Sequence, residues 1–220
     1  MSDSVLSFLL GIIQGLTEFL PISSSAHLLL PSLLFGLNDL GLSFDIAVHA
    51  GTLTAVIYYF RNELLLMSKS FFIYDEYLLP HRKLALSLII ATIPIVFAGL
   101  FIKDLIEQRI FSIEHIAIAN IIFAGILLFA YLNKKDKNNL YSITFYSALF
   151  IGIFQTLALF PGASRSGTAI TAALLIGINL KDASKFSFML SIPTILGALV
   201  LLIIEMQSTL ETFNYINLII

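Results

Sequence analysis

The 220 residues include no cysteine and few charged side chains. Without cysteine there is no disulfide, no thiolate nucleophile and no cysteine-ligated metal site. Charged residues make up 12% of the chain, whereas a soluble domain carries about a quarter. Hydrophobic residues make up 58%, and the mean hydropathy is +0.96. The composition therefore predicts an integral membrane protein.

The chain also lacks an excess of positive charge. Its formal net charge is −2, and its Lys and Arg residues are scattered between apolar runs, so no basic field is available for nucleic acid. We therefore expect no nucleic-acid partner. The first residues, MSDSVLSFLL, lack the positive segment and small-residue cleavage site of a secretory signal, and we expect them in the mature protein.

Four apolar stretches approach the roughly 20 residues that cross a hydrocarbon core. No linker separates them, so the sequence predicts one all-α, multi-pass membrane domain over residues 1–220. The predicted spans are 44–60, 83–102, 113–132 and 183–204.

Two further apolar stretches are interrupted by polar clusters. Residues 5–20 lead into PISSSAH before a short apolar piece at 28–37, and residues 143–160 lead into PGASRSG before another at 168–180. Unpaired backbone cannot face lipid. Each stretch therefore predicts a broken or re-entrant helical hairpin whose tip lies inside the bundle.

The positive charges predict an orientation. Nine of the twelve Lys and Arg residues fall in the connections 61–83, 133–140 and 181–185. Short cytoplasmic loops are enriched in Lys and Arg, so we expect these connections in the cytoplasm. The first hairpin then enters from the outer face of the inner membrane, and the second enters from the cytoplasm.

An internal repeat relates the two hairpins. GIIQGLTEFLPISSS resembles GIFQTLALFPGASR with one gap, pairing Gly11 with Gly152 and Gln14 with Gln155. FDIAVHAGTLTAV also resembles FSFMLSIPTILGA, although chance similarity between apolar segments would explain this second pair. An odd number of spans separates the repeats, which predicts an inverted-topology repeat (halves 1–60 and 143–204) with both tips near the midplane.

The first polar cluster places Gln14 and Glu18 four residues apart, on one face of a helix. A carboxylate at membrane depth needs a cation, a proton or an arginine partner. Glu18 is therefore a candidate functional residue, and the alternative is a hydrogen-bonded glutamate at the interface.

Three serines and a histidine follow. We expect Pro21 to end the first helix and Ser23, Ser24 or Ser25 to cap the next one. Capping needs only one serine, and His27 is spaced to reach back to the tip. A hydroxyl beside a base is the minimal nucleophile arrangement, although membrane helices also use serine for packing.

The second cluster, PGASRSG, indicates an anion clamp. Gly162 and Gly167 allow a turn and close approach to a ligand, while Ser164 and Ser166 offer hydrogen-bond donors. Arg165 presents a planar fork that suits phosphate oxygens. A helix expected from about residue 168 adds a positive N-terminus.

Arg165 has a second interpretation, an ion pair with Glu18 that holds the two halves together, and both interpretations can hold in the empty state. Together the two tips offer a carboxylate, an amide, hydroxyls, a histidine and an arginine. These groups suit phosphoryl transfer on an amphiphile whose phosphates enter the polar site. Inverted repeats and a midplane anion site are also typical of secondary transporters.

The motifs QGLTEFLPISSSAH and FPGASRSG resemble those of the undecaprenyl-diphosphate phosphatase family, also called bacitracin-resistance proteins. The resemblance covers nearly the whole chain in order. It implies a cell-membrane hydrolase that removes the terminal phosphate of undecaprenyl (polyprenyl) diphosphate, recycling the lipid carrier for peptidoglycan and cell-wall synthesis. It further implies a divalent cation, magnesium or calcium, and an active site open to the periplasmic side.

Carried over by position, the resemblance assigns catalytic roles to Glu18, Ser24, His27 and Arg165. It places the metal at Glu18 and Gln14, where Gln supplies no second negative charge. Substrate-binding positions are Ser23, Ser25, Gly162, Ser164, Ser166 and Gly167, and Asp45 and His49 are secondary groups, with His49 equally explained by packing.

The sequence leaves both the nucleophile and the function open. Either Ser24 or a water attacks the terminal phosphorus, and His27 or Glu18 accepts the proton of Ser24. The competing function is a polyprenyl-phosphate flippase or an anion-coupled secondary transporter. Family members usually continue through two further spans after the position of NYINLII. Part of the bundle wall is therefore expected to be absent, truncated or supplied by a second subunit, and a homodimer is a candidate assembly.

Overall fold

The computed structural model describes residues 3–108 and 112–217, and the side chains in these ranges apart from residues 3, 103–107 and 205–217. The described residues form nine α-helices joined by loops and short 3₁₀ turns. The helices are α1 (Asp3–Thr17), α2 (Ser24–Phe35), α3 (Gly41–Tyr59), α4 (Arg61–Lys69), α5 (Leu79–Glu107), α6 (Ile113–Leu132), α7 (Phe145–Gln155), α8 (Arg165–Leu175) and α9 (Leu180–Asn217).

Helices α3, α5, α6 and α9 correspond to the four predicted spans. Each contains a segment long and apolar enough to cross a membrane. Large apolar side chains project outward from them, such as Ile121 and Phe129 of α6 and Ile203 of α9, as expected where lipid replaces water. The prediction of an all-helical chain with about four span-length helices is confirmed.

The other two apolar stretches are broken helices, and their ends differ from the predicted ones. Helix α1 ends at Thr17, four residues before Pro21, and the chain turns over the next residues through the bond from Leu20 N to Thr17 O (3.2 Å). Helix α8 begins at Arg165 rather than near residue 168, because the Ser164 hydroxyl accepts a hydrogen bond from Gly167 N and caps it there.

Helix α8 lies at the centre of the bundle, where every residue from Ser166 to Leu174 is buried. Its side chains are mostly small, which lets α6, α7 and α9 pack against it. Helices α5 and α7 also meet closely, since a Cβ at Gly152 would lie 2.4 Å from the carbonyl oxygen of Ala91. This packing holds the start of α8 in a fixed position.

The three basic connections gather at one end of the bundle, called here the basic end. Lys185 Nζ lies 2.8 Å from Glu63 Oε1, which joins the start of α9 to α4. The 133–144 connection bonds to the turn after α8 and to Asp182, and the rings of His81 and Tyr141 are in contact.

Candidate active site

The two polar clusters meet in the structure. The hydroxyls of Ser164 and Ser166 contact the carbonyl oxygen of Leu20 at 3.4 and 2.9 Å. Pro21 packs beside Gly167, where an added Cβ would come within 3.4 Å of the proline ring. The predicted meeting of the tips is confirmed, and it creates a cleft between them.

Glu18 is the centre of this cleft. Its Oε2 accepts hydrogen bonds from Gln14 Nε2 (2.6 Å) and Ser24 Oγ (2.7 Å). Its Oε1 forms an ion pair with Arg165. The Glu18 side chain retains 2% of its accessible surface, so these partners replace water almost completely.

Arg165 joins the two clusters directly. It is the first residue of α8, and its guanidinium reaches Glu18 with Nη2 and the carbonyl oxygen of Ser191 with Nη1 (3.4 Å). The second interpretation of Arg165, an ion pair with Glu18, is confirmed, and the anion clamp stays a prediction. Arg165 also lines the cleft, and its side chain keeps 17% of its accessible surface.

His49 is a member of the site that the sequence left undecided. It lies on α3, and its Nε2 is 3.2 Å from Glu18 Oε2. Its Nδ1 contacts the backbone carbonyl of Asp45, which only accepts hydrogen bonds, so Nδ1 carries a proton and Nε2 faces the carboxylate. A histidine inside a predicted span was the available signal. Its partner, Glu18, directly follows α1 and is too far away in the sequence for a local pattern to pair them.

His27 reaches back to the tip, as its spacing predicted. Its Nδ1 is 2.8 Å from the carbonyl oxygen of Ser23. Ser23 itself adopts a left-handed conformation (φ 59°), which is uncommon for a residue other than glycine. The imidazole therefore supports the backbone turn that presents Ser24, while the cleft lining contains His49 rather than His27.

The prediction that a serine side chain caps α2 is wrong. Ser23 occupies the N-cap position, but among the described residues no side chain caps this helix end. Ser23 Oγ instead pairs with Ser25 Oγ at 3.3 Å, and Ser24 Oγ turns to Glu18. The N–H groups of the first turn of α2 are left without a side-chain cap beside the cleft.

Gly162 turns the second loop as predicted, with φ 100°. Its close approach is to protein, because an added Cβ would lie 2.6 Å from the carbonyl oxygen of Ile116 on α6. Gly167 is likewise packed against Ser164 and Pro21. In the described structure these glycines allow tight packing of the loop, and their assignment to substrate binding stays a prediction.

The cleft has a volume of about 190 Å³ and combines polar and apolar walls. Its polar groups come from both tips, α3 and α9, and its apolar groups come from α3, α5, the 156–163 segment and α9. The lining residues are Glu18, Ser23, Ser24, Ser25, Ile46, His49, Ile95, Ala158, Leu159, Ala163, Ser164, Arg165, Thr194, Ile195 and Ala198.

The donor atoms beside Glu18 suit part of a divalent-cation site. Gln14 is completely buried, and its Oε1 has no hydrogen-bond partner among the described residues. Carboxylate and amide oxygens are ligands that Mg²⁺ and Ca²⁺ accept. No group of three or more His, Asp or Glu residues that could hold a metal ion occurs in the described ranges. A cation held by Glu18 and Gln14 would take its other oxygen ligands from the substrate or water.

Comparisons with known proteins identify the family. Residues 7–220 match the family model described as bacitracin resistance protein BacA. The chain is also 46% identical over 194 residues to an undecaprenyl-diphosphatase of Saccharophagus degradans, an alignment that covers 88% of this chain and 73% of that protein. Both findings confirm the resemblance of the two motifs, and the chain belongs to the bacitracin resistance protein BacA family.

Proposed function

We propose that this protein is a membrane phosphatase that hydrolyses undecaprenyl diphosphate to undecaprenyl phosphate and inorganic phosphate. The observation that carries the proposal is the Glu18 carboxylate, which contacts both a hydroxyl nucleophile and an arginine in one cleft. The relative's name and the family support the same reaction. They do not favour the flippase or transporter alternative.

Arg165 and the start of α2 bind the diphosphate in this proposal. The guanidinium exchanges its contact with Glu18 for phosphate oxygens, to which it donates in a planar, bidentate fashion. The uncapped N–H groups at the start of α2 lie beside Ser24 and add donors and a positive helix end. The same groups stabilise the charge that develops on the transferred phosphoryl group.

Ser24 is the nucleophile. Its Oγ bonds to the terminal phosphorus while its proton passes to Glu18, which already accepts that hydrogen bond at 2.7 Å. The bond from phosphorus to the bridging oxygen breaks, and undecaprenyl phosphate leaves with the electron pair. The oxygen of a water then bonds to the phosphorus, and the bond from phosphorus to Ser24 Oγ breaks. Glu18 returns the proton to Oγ, and inorganic phosphate leaves with the oxygen and the protons of the water.

Glu18 and Gln14 are the residues that would hold a divalent cation, magnesium or calcium. When bound, the cation supplies neutralisation of charge on the diphosphate oxygens. The unpartnered Gln14 Oε1 and the single carboxylate suit a cation that shares its remaining ligands with the substrate.

The proposed arrangement of the helices in the membrane is based on the internal repeat and on the basic connections. We propose an inverted repeat in which the α1–α2 and α7–α8 pairs are re-entrant hairpins from opposite faces of the cell membrane. Two observations support it: α7 follows the basic end directly, and the repeat partners Gln14 and Gln155 are both fully buried. With the basic end cytoplasmic, the cleft opens to the periplasm in this proposal.

Phosphate release tests the function. Purified protein in detergent is incubated with undecaprenyl diphosphate, with and without EDTA, and inorganic phosphate is measured over time. We expect release that EDTA abolishes and that added Mg²⁺ or Ca²⁺ restores. Folded protein that releases no phosphate with any divalent cation would contradict the phosphatase, and transport of the lipid without hydrolysis would support the alternative.

A further inference from the structure

A second cavity lies apart from the cleft, on the lipid-facing side of the bundle near the basic end. It has a volume of about 540 Å³, which falls within the range of about 300–1,000 Å³ found for ligand sites. The cavity, called here the α3–α9 groove, is lined by Phe19, Ala55, Val56, Tyr59, Phe60, Glu63, Lys181, Ser184, Lys185 and Phe188. It shares no lining residue with the cleft.

The groove is apolar along most of its length. Helix α3 supplies one wall with Ala55 and Tyr59, both exposed, and α9 supplies the other with Phe188. The inner part is lined by Phe19, the residue after Glu18, whose ring meets the Phe188 ring edge to face at 5.4 Å. A hydrocarbon chain lying in the groove would therefore contact the first hairpin tip without entering the cleft.

The charged residues of the groove lie on α4 and at the start of α9. Lys185 forms an ion pair with Glu63 at 2.8 Å. Lys181 is exposed and has no ion-pair partner within the described ranges. Two lysines and one glutamate leave one net positive charge, which complements a single negative charge.

Aromatic residues near the basic end indicate where this end lies relative to the membrane surface. The segment after α4 contains Phe72, Tyr74 and Tyr77, which are 87%, 88% and 70% exposed, and Arg82 lies over the ring of Phe71. Aromatic and basic residues of this kind gather at the membrane–water interface. Lys181 and Lys185 therefore lie near the level of lipid headgroups, and the apolar part of the groove extends toward the membrane centre.

We propose that the α3–α9 groove binds an anionic glycerophospholipid of the surrounding membrane. One acyl chain lies between α3 and α9 as far as Phe19 and Phe188, and the phosphodiester lies at Lys181 and Lys185. The single net positive charge matches a singly charged phosphodiester better than a diphosphate. The proposal depends on membrane embedding and not on phosphatase activity.

Lipid binding by the purified full-length chain tests the proposal. Native mass spectrometry measures binding of phosphatidylglycerol, phosphatidylcholine and a polyprenyl monophosphate, without any assay of activity. We expect phosphatidylglycerol to bind about fivefold more tightly than phosphatidylcholine, since a lysine near the membrane surface contributes about that factor. Lys181→Gln should remove this preference.

Two further variants distinguish lipid binding in the groove from lipid binding to general surface charge. Ala55→Phe fills the groove from an exposed helix position and should abolish binding of both phospholipids, while Lys137→Gln removes an exposed lysine outside the groove and should leave the preference unchanged. Equal binding by wild type and Lys181→Gln, or an equal loss in Lys137→Gln, overturns the proposal. Preferential binding of polyprenyl monophosphate also overturns it, because the occupant is then the carrier lipid.

Discussion

Among the described residues, the carboxylate of Glu18 has four polar partners, Gln14, Ser24, His49 and Arg165. A buried ion pair contributes little net stability compared with apolar packing, yet removal of one partner costs about 3–5 kcal/mol. Such a cluster is therefore poorly explained by stability alone. It brings together a hydroxyl, a proton acceptor and a permanent cation, which are the groups that phosphoryl transfer requires.

Ser24→Ala tests the nucleophile. We expect kcat to fall at least about a hundredfold, because the hydroxyl that donates to Glu18 is lost. Ser25→Ala is the matched control, since Ser25 lines the same cleft but bonds to Ser23. Phosphate release gives the rates, and acid quenching with substrate labelled in the terminal phosphate detects a phosphoserine. Unchanged turnover of Ser24→Ala would show that water is the nucleophile.

His49→Ala tests the contact between α3 and the carboxylate. We expect kcat to fall about tenfold, the lower end of what loss of an outer-shell partner costs, with KM nearly unchanged because Arg165 still binds the diphosphate. His115→Ala, at an exposed position at the start of α6, is the control. If steady-state kinetics gives wild-type kcat for His49→Ala, then His49 only packs against Glu18.

The sequence predicted most of these side chains but not all of their contacts. The spacing of Gln14 and Glu18 predicted that they share a helix face. The ion pair of Glu18 with Arg165 was predicted from their opposite charges alone. The contact of His49 with Glu18 depends on how α3 packs against α1, which no local pattern encodes. The uncapped start of α2 was also missed, because capping propensity describes isolated helix ends and Ser24 is engaged by Glu18 instead.

Helix α8 is short, central and almost entirely buried, and its position depends on close packing of the helices around it. The span-length helices were predictable because composition and length suffice for them. The helix ends at Thr17 and Arg165 were not, because they depend on a loop turn and on a side-chain cap.

Gly152→Ala tests the packing of α5 against α7. The added Cβ would lie 2.4 Å from the Ala91 carbonyl oxygen, so the helices must separate, at a cost of about 1–3 kcal/mol. The repeat partner offers a matched control: around Gly11 no described neighbour lies within 4 Å of an added Cβ. We expect Gly152→Ala to lower the midpoint of thermal unfolding and Gly11→Ala to leave it unlowered. Equal midpoints for both variants would contradict the packing described for α5 and α7.

At the scale of the whole molecule, the basic connections gather at one end, and the α2–α3 connection leads into the opposite end of α3. The loop after α1 and the start of α8 contact each other, through Leu20 with Ser164 and Ser166. This arrangement accounts for a polar cleft inside a chain that is 58% hydrophobic.

Single-cysteine variants test the orientation of the chain in the membrane. Because the sequence contains no cysteine, a thiol reagent labels only the introduced residue. We expect Asn38→Cys, between α2 and α3, to react with a membrane-impermeant thiol reagent in intact cells. Lys137→Cys, at the basic end, should react only after the membrane is permeabilised. The reverse pattern would place the basic end outside and would turn the cleft toward the cytoplasm.

The most direct test of the central proposal is phosphate release from undecaprenyl diphosphate by Arg165→Ala and Arg165→Lys beside the wild type. Loss of an arginine that stabilises phosphoryl transfer costs about 10³-fold or more in kcat, and lysine lacks the planar fork that would replace it. We predict that both variants fold, shown by their thermal unfolding, and that both lose nearly all activity. Wild-type turnover by folded Arg165→Ala would contradict the assignment of catalysis to the Glu18–Arg165 cleft.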